Sequence, residues 1–539
     1  MQWTDGTAAL GLDKLAQIDP CLLWQDLDAD GQDELITIAQ PTKPFGYRSL
    51  VVGWNKPADP SQPQGKPGLA SMKLQTTNIF IDGSVLDCAA GDLDGDGKPE
   101  LALAMTQGVA ILRLTGKEFG KNVTKQFVKG LDKSAHTLSL FDFDGDGDQD
   151  MYVGTNVNGG ESSGMSFTCG QADGVYAICC ITKTPDECMS QKSGQSDIVD
   201  CCTQSPATAA HHLLRNDGGK FTDVGPQMGI DGGVAMTLTA RDIDRDGRMD
   251  LFVGDDFGHH GWYINGGDHF DFQGTSAGMR PYSNVMGSVV ADFDLDHHDD
   301  LVVTNWGAST YYRGSDAEFV DDSAKWNVWP LTQNGVCWAE LGADLDNDGW
   351  VDMFTTFSGE GDAAGVSAVK GGWDQPNPLV SAYHLIFHNV GGTFTSQKIP
   401  WPATGASTVD GTVTAAADLD HDGDLDLLVE TPPGILTVWL NDTGTTPQNH
   451  WLEVRPTQGK TPVAGALVQI WRDGYVQERW LEHSGGFGAH QALSARFGLG
   501  QVDKLDLVRI WWPWGEVTEL QSPDLDQVLT VDHPPPTKP

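Results

Sequence analysis

Short apolar runs punctuate this chain, and none is long enough to be a helix face or a membrane span. LITI at Leu35, LALAM at Leu101, MYVG at Met151, LFVG at Leu251, LVVT at Leu301, MFTTF at Met353 and LLVE at Leu427 have the length and content of strands. Another apolar or small-residue run lies upstream of each, such as HTLSLF before Asp142 and GSVVA before Asp292. A polar, acidic phrase of ten residues separates the two runs every time. The pattern predicts a hairpin with an acidic bend, repeated seven times.

The fullest copies of the phrase are DLDGDGKPEL at Asp92 and DFDGDGDQDM at Asp142. Carboxylates stand at places one, three, five and nine, a Gly usually fills place six, and an apolar residue closes place ten. Alternating carboxylates in a tight bend converge on one side, Gly supplies the positive φ that curls the chain, and the ninth residue closes the cage. Such an oxygen-only pocket suits calcium better than magnesium, which demands a stricter octahedron. Up to seven calcium ions are expected, with the carbonyl of place seven as a further donor by analogy with loops of this spacing.

The side-chain ligands expected in the first three loops are Asp26, Asp28, Asp30 and Glu34; Asp92, Asp94, Asp96 and Glu100; and Asp142, Asp144, Asp146 and Asp150. The fourth and fifth offer Asp242, Asp244, Asp246 and Asp250, then Asp292, Asp294, Asp296 and Asp300. The sixth and seventh offer Asp344, Asp346, Asp348 and Asp352, then Asp418, Asp420, Asp422 and Asp426. An EF-hand would need a Glu at place twelve and helices on both sides. Place twelve holds Thr or an aliphatic residue inside a strand run. The fifth loop stands apart, because His297 occupies the place of Gly and a non-Gly residue at positive φ costs on the order of 1 kcal/mol.

The first Asp residues of successive loops are 66, 50, 100, 50, 52 and 74 residues apart. A unit of about 50 residues with four short strands is a propeller blade, and seven units close a ring. A second phrase recurs between loops: LLRNDGGKFTDVG at Leu213, WYINGGDHF at Trp262, LIFHNVGGTFT at Leu385 and TVWLND at Thr437. It reads as a strand, an Asn- and Gly-bearing turn, and an aromatic that opens the next strand. The opening QWTDGTAALGL echoes FTDVGPQMGI at Phe221, so the N-terminus should complete the last blade. The long gaps hold a Cys-rich insertion, 159–206, and another at about 359–378.

Composition narrows the setting. The formal charge is −42, and the seven loops account for 28 of the 75 acidic residues. With no basic stripe to offset it, this surface excludes nucleic acid as a partner. Six of the nine Cys lie between Cys169 and Cys202 without zinc-ligand spacing, and read as three bridges that can pair in fifteen ways. Cys21, Cys88 and Cys337 sit in strand runs and read as buried thiols, with one bridge among them as the alternative. No apolar run approaches a transmembrane length. Millimolar calcium and bridged Cys belong to an oxidising exterior, so secretion after loss of a signal peptide, or a cell-surface or periplasmic location, is expected. Asn122 and Asn441 lie in glycosylation sequons.

The D-x-D-x-D-G-x-x-D-L phrase resembles the FG-GAP or VCBS repeats of integrin α-chain propellers and of many secreted bacterial proteins, and covers 1–446. From 447 to 533 the chain resembles the ASPIC/UnbV domain that commonly follows such a propeller in proteins similar to the cartilage acidic protein family. Its markers are Gly465, Gly486, Phe487, Phe497, Gly498, Leu499, Gly500, Trp512, Pro513 and Gly515. The expected architecture is all-β: a seven-bladed β-propeller with calcium-binding hairpin loops, then a small C-terminal β domain packed against the ring, and a Pro-rich tail at 534–539.

Catalytic signatures are scarce. There is no Gly-x-Ser-x-Gly elbow, phosphate loop or His-Glu-x-x-His pair. His211 with His212 and His259 with His260 are the local His clusters outside the acidic loops; of these, His259 and His260, with Asp255 and Asp256, offer rim positions for a ligand or transition metal, against a plainer reading as surface loop polar residues. Trp306, Trp326 and Trp329 offer sugar platforms, against a plainer reading as core. The expectation is a monomeric, secreted calcium-binding recognition or adhesion protein, non-catalytic, with an extracellular protein or glycan as ligand. The alternative is an extracellular calcium-dependent enzyme acting on polysaccharide, of lyase or dehydratase type.

Overall fold

A computed structural model describes residues 1–15, 18–27, 33–39, 49–54, 72–76, 81–114, 123–131, 135–155, 169–172, 175–178, 209–256, 260–280, 285–305, 307–315, 318–328, 332, 336–358, 383–400, 413–431, 434–441, 449–459, 461–483 and 491–533. Asp28, Asp30, Trp306, Trp329, His259, Asn122, the second insertion and the Pro-rich tail lie outside them. So does the Cys-rich insertion, apart from a short hairpin of Cys169–Ala172 and Val175–Ile178.

Seven four-stranded antiparallel sheets form the body. Their innermost strands are Ile18–Gln25, Val85–Gly91, Ala135–Phe141, Ala235–Arg241, Val285–Ala291, Val336–Ala343 and Val413–Ala417. Each packs against the innermost strand of the next sheet, and the seventh packs against the first, so the sheets are blades of a closed ring. Trp3–Asp5 pairs antiparallel with Ile435–Asn441, and the N-terminus supplies the outer strand of the seventh blade as its sequence echo predicts.

The second strands follow their acidic loops and are buried at every described side chain, as in Glu100–Met105, Asp150–Thr155 and Asp250–Asp255. The reason is geometric: a blade has another blade on each face, so both sides of its central strands must be apolar or hydrogen-bonded. The core accordingly lies between blades rather than at the centre of the ring. Leu22, Trp24 and Leu35 of blade one pack with Ala415, Leu428 and Val438 of blade seven. Blades five and six share Phe293, Tyr311, Trp326, Met353, Phe387 and Phe394. Trp326 stacks on Tyr311 at 4.3 Å between ring centroids, which makes it core and not a sugar platform.

Cys21 and Cys88 form a disulfide between the inner strands of blades one and two, so the reading of both as buried thiols is corrected. Cys337 is buried and free. Asn441 is buried with its side chain hydrogen-bonded, so that sequon faces the interior.

Beyond the ring, two further four-stranded sheets enclose one core. His450–Gln458 pairs with Thr461–Pro462, Ala495–Gly500 and, in parallel, Gln527–His533; Leu467–Arg472 pairs with Tyr475–Trp480 and Leu507–Trp511, which carries Val517–Gln521. Leu452, Val468, Phe497, Val508 and Ile510 fill the space between them.

The Cys21–Cys88 bridge closes a span of 67 residues, which the chain-entropy account values at about 4 kcal/mol in the unfolded state. Reduction, or the double change Cys21→Ser and Cys88→Ser, should therefore lower the denaturant midpoint. An identical unfolding curve with and without reductant would show that the bridge contributes nothing.

Candidate metal centres on the loop face of the ring

Each acidic loop is folded by its own carboxylates before any ion is considered. The first Asp turns inward and accepts backbone N–H groups of the bend: Asp92 Oδ1 takes those of Gly95 and Asp96, and Oδ2 takes that of Gly97. Asp142 and Asp344 do likewise. The fifth place makes a smaller turn, as when Asp96 Oδ1 accepts the N–H of Lys98, while Oδ2 faces the Lys98 ammonium at 3.7 Å. In the six loops described in full, two residues, not one, take positive φ. Places four and six do so at Gly95 and Gly97 and at Gly145 and Gly147, but place four is Arg245, Leu295, Asn347 or His421 in later loops. The fifth loop carries two non-Gly residues there, Leu295 at 60° and His297 at 71°.

The ninth carboxylate is a pin. Asp150 Oδ2 accepts the N–H of Phe143 and its Oδ1 that of Asn216 on the third strand; Asp250, Asp352 and Asp426 repeat both bonds. Those third-strand Asn residues belong to the second recurring phrase, and their side chains reach beyond the turn. Asn216 Nδ2 donates to the carbonyl of Gln149 in its own loop and to that of Leu93 in the preceding blade's loop. Asn265, Asn389 and Asn441 make the equivalent pairs. Each thus stitches one acidic loop to the next. Sequence alone showed the recurrence of this Asn but not its reach. Blade five has Gly314 at that position, and Tyr311 donates its hydroxyl to Asp300 Oδ2 at 2.6 Å instead.

Places one, three and five converge. In the second, third and fourth loops, one oxygen from each of Asp92, Asp94 and Asp96, of Asp142, Asp144 and Asp146, and of Asp242, Asp244 and Asp246 lies within 4.8 Å of the others. In the fifth the group is Asp292, Asp294 and Asp300. At place three, Oδ1 of Asp94, Asp294, Asp346 and Asp420 is enclosed yet has no hydrogen-bond partner among the described residues. A shut-in carboxylate oxygen with nothing to accept is the natural position of a cation ligand, so the donor set fits a hard divalent ion.

Electrostatics agree. Burial, with neighbouring carboxylates adding to it, pushes Asp142 and Asp242 up to about 6, Asp292 and Asp344 to about 7, and the pinned Asp250 and Asp150 to about 8 and about 9. Glu100 rises to about 7 for the same reason. Of the first loop, the buried Asp26 and Glu34 are described, and Glu34 Oε2 accepts the N–H of Leu27.

The C-terminal sheets dock on this loop face. Arg455 pairs with Asp33 of the first loop at 2.6 Å, and Arg245 of the fourth loop pairs with Glu478 at 2.7 Å. Gly498 donates its N–H to Asp344 Oδ2, Gly500 to the Asn347 carbonyl, and Arg496 to the Gly423 carbonyl. A cavity of about 420 Å³ remains between the two units, lined by Arg241, Asp292, Asp344, Trp451, Glu453 and Arg479 among others.

The His and Asp residues considered as a rim site are placed differently. His211, His260 and Asp255 are buried, with His211 Nε2 3.4 Å from Asp255 Oδ1, and Tyr152 lies against the His211 ring. These are interior polar groups, not surface loop residues. His212 pairs with Asp223 at 2.7 Å. The signal that misled is the doublet itself: His211 lies just before the strand His212–Asn216 and is buried, whereas His212 opens that strand and pairs outward with Asp223.

Comparison with known proteins matches residues 92–153, 242–303 and 344–429 to the FG-GAP-like repeat and residues 456–538 to the ASPIC and UnbV domain. Cartilage acidic protein 1 of Xenopus tropicalis is 22% identical over 488 residues, covering 84% of this chain and 65% of that protein. The Homo sapiens protein of that name is 24% identical over 481 residues, covering 84% and 64%. The chain therefore spans less than two thirds of these relatives. Among solved structures, the rhamnogalacturonan lyase YesW aligns with a TM-score of 0.38 at 13% identity, covering 82% of this chain and 73% of its own, a likeness too slight to bear on function. The chain thus carries FG-GAP-like repeats and, after them, an ASPIC and UnbV domain, with a distant similarity to cartilage acidic protein 1.

Proposed function

We propose that the protein is a secreted calcium-binding recognition or adhesion protein, in which ions held by the acidic loops stiffen the blades and the connecting loops present the binding surface. The carrying observation is the enclosed, unpartnered Oδ1 at place three in four separate loops. Calcium supplies the positive charge and the oxygen-tolerant coordination that these groups lack. The first-place Asp shapes the bend, the third place offers an unpartnered oxygen, the fifth closes a smaller turn, and the ninth ties the bend to its sheet. Secretion is supported by the Cys21–Cys88 bridge, since such bonds persist in oxidising surroundings. The distant similarity to cartilage acidic protein 1 accords with an extracellular partner, protein or glycan. Glycan-array and matrix-protein binding in calcium should show retention that chelator abolishes. Turnover of an acidic polysaccharide in a product assay, without such retention, would replace this reading with an enzymatic one.

Three consequences are measurable. At about 1 mM calcium and a Kd of about 10⁻⁴ M, each filled site adds roughly 1.4 kcal/mol. Chelation should therefore lower the melting temperature by several degrees, and an unchanged melt would count against filled structural sites.

The second concerns pH. These carboxylates titrate higher in the folded chain than their ordinary values near 3.8 and 4.5, so without metal the folded state holds protons more tightly. That contribution to stability is fully present below the ordinary carboxylate range and is lost as pH rises through about 6 to 9. The gain in melting temperature on adding calcium should accordingly be large at pH 8 and shrink toward pH 5. A gain that grows on acidification would contradict the assignment.

The third is local. His297→Gly removes a non-Gly residue at φ 71° and should raise stability by about 1 kcal/mol, read as a higher denaturant midpoint. A lower midpoint would refute the strain.

A further inference from the structure

The sixth loop differs from its siblings in what faces it. Strand register puts one residue per blade at the same station, just after the third-strand residue that pairs with place ten: Arg113, Arg215, Ile264, Arg313, His388 and Leu440 in blades two to seven. In blade two the station supplies a counter-charge, with Arg113 Nε 3.0 Å from Asp94 Oδ2. A guanidinium has no lone pair to offer a metal. An imidazole does, and only blade six has one among these described stations.

His388 Nε2 lies 2.8 Å from Asp346 Oδ2. That nitrogen and one oxygen each from Asp346 and Asp348 all lie within 4.8 Å of one another. His388 Nε2 reaches one oxygen of the Asp346 carboxylate, while the other, Oδ1, is enclosed with no hydrogen-bond partner among the described residues. Their loop is also held from outside: Asn449 Nδ2 donates to the Asp346 carbonyl, Gly498 N–H to Asp344 Oδ2 and Gly500 N–H to the Asn347 carbonyl. A donor set fixed in this way is organised before a metal arrives.

We infer that the sixth loop is a mixed nitrogen and oxygen site for a transition-metal ion of the zinc class, ligated by His388 Nε2, Asp346 and Asp348, with a further position for water. Calcium takes oxygen donors almost without exception, whereas imidazole and carboxylate together suit zinc, in which three protein ligands plus solvent is a common set. This replaces calcium in the sixth loop alone; the calcium reading of the other loops keeps the unpartnered Oδ1 of Asp94, Asp294 and Asp420, and the inference does not depend on it.

The test uses the full chain, stripped with chelator and titrated with zinc in about 2 mM calcium, with cobalt(II) absorption as a second probe of the coordination sphere. The wild type should retain one tight equivalent of zinc. His388→Arg keeps a counter-charge beside Asp346, as blade two does, but removes the ligand, and should weaken that equivalent by at least about tenfold. His388→Gln, read in the same way, serves if the arginine variant does not fold. Equal zinc affinity in wild type and variants, or complete displacement of zinc by millimolar calcium, overturns the inference. Retained zinc with no calcium-dependent rise in melting temperature would remove the calcium reading and leave this one standing.

Discussion

Carboxylates crowded together away from water repel one another, and only a proton or a cation relieves them. That constraint recurs in the acidic loops described in full. Asp142, Asp144 and Asp146 converge on one side of their bend, and burial, with the charges of Asp144 and Asp146 adding to it, pushes Asp142 up to about 6. The fold tolerates the crowding because the same side chains satisfy backbone groups that a tight bend would otherwise strand. The loop thus has its shape from hydrogen bonds and its charge left over for an ion.

Two jobs are divided along the ten residues. Places one and nine are architectural, since their oxygens accept N–H groups of the bend and of the third strand. Place three keeps an oxygen in reserve. The stitching Asn then connects one loop to the next, from Asn216 to the Leu93 carbonyl and from Asn389 to the Phe293 carbonyl, so that neighbouring loops share a hydrogen-bonded lattice. An ion that steadies one bend is therefore mechanically connected to the blade beside it. Loop five, lacking both the Gly and the Asn, relies on Tyr311 to hold Asp300.

Much of this was legible in the sequence because the information is local and repeated. Alternating Asp, a Gly and a flanking strand fall within a dozen residues, and seven copies fix the ring and its closure by Trp3–Asp5. What stayed hidden depends on register between distant segments. Cys21 and Cys88 are adjacent only because blades one and two pack inner strand to inner strand. Place four of the loop tolerates Leu295 and His421 at positive φ, and side-chain identity there gave no hint of it. The Asn of the second phrase looked like turn chemistry because its partners lie in another loop. His388 reads as an ordinary strand residue until pairing with Met353 and its neighbours sets it against Asp346.

The closure of the seventh blade has a consequence for how such a molecule is made. Its outer strand is Trp3–Asp5, whereas the strand it pairs with, Ile435–Asn441, leaves the ribosome more than four hundred residues later. Until then the emerging arc has an open flank at each end, with Leu22, Trp24 and Leu35 of the first blade exposed and waiting for Ala415 and Val438. Vectorial synthesis must therefore carry a sticky, half-finished crescent through most of its length, and the final clasp is a contact between the oldest and the newest parts of the ring.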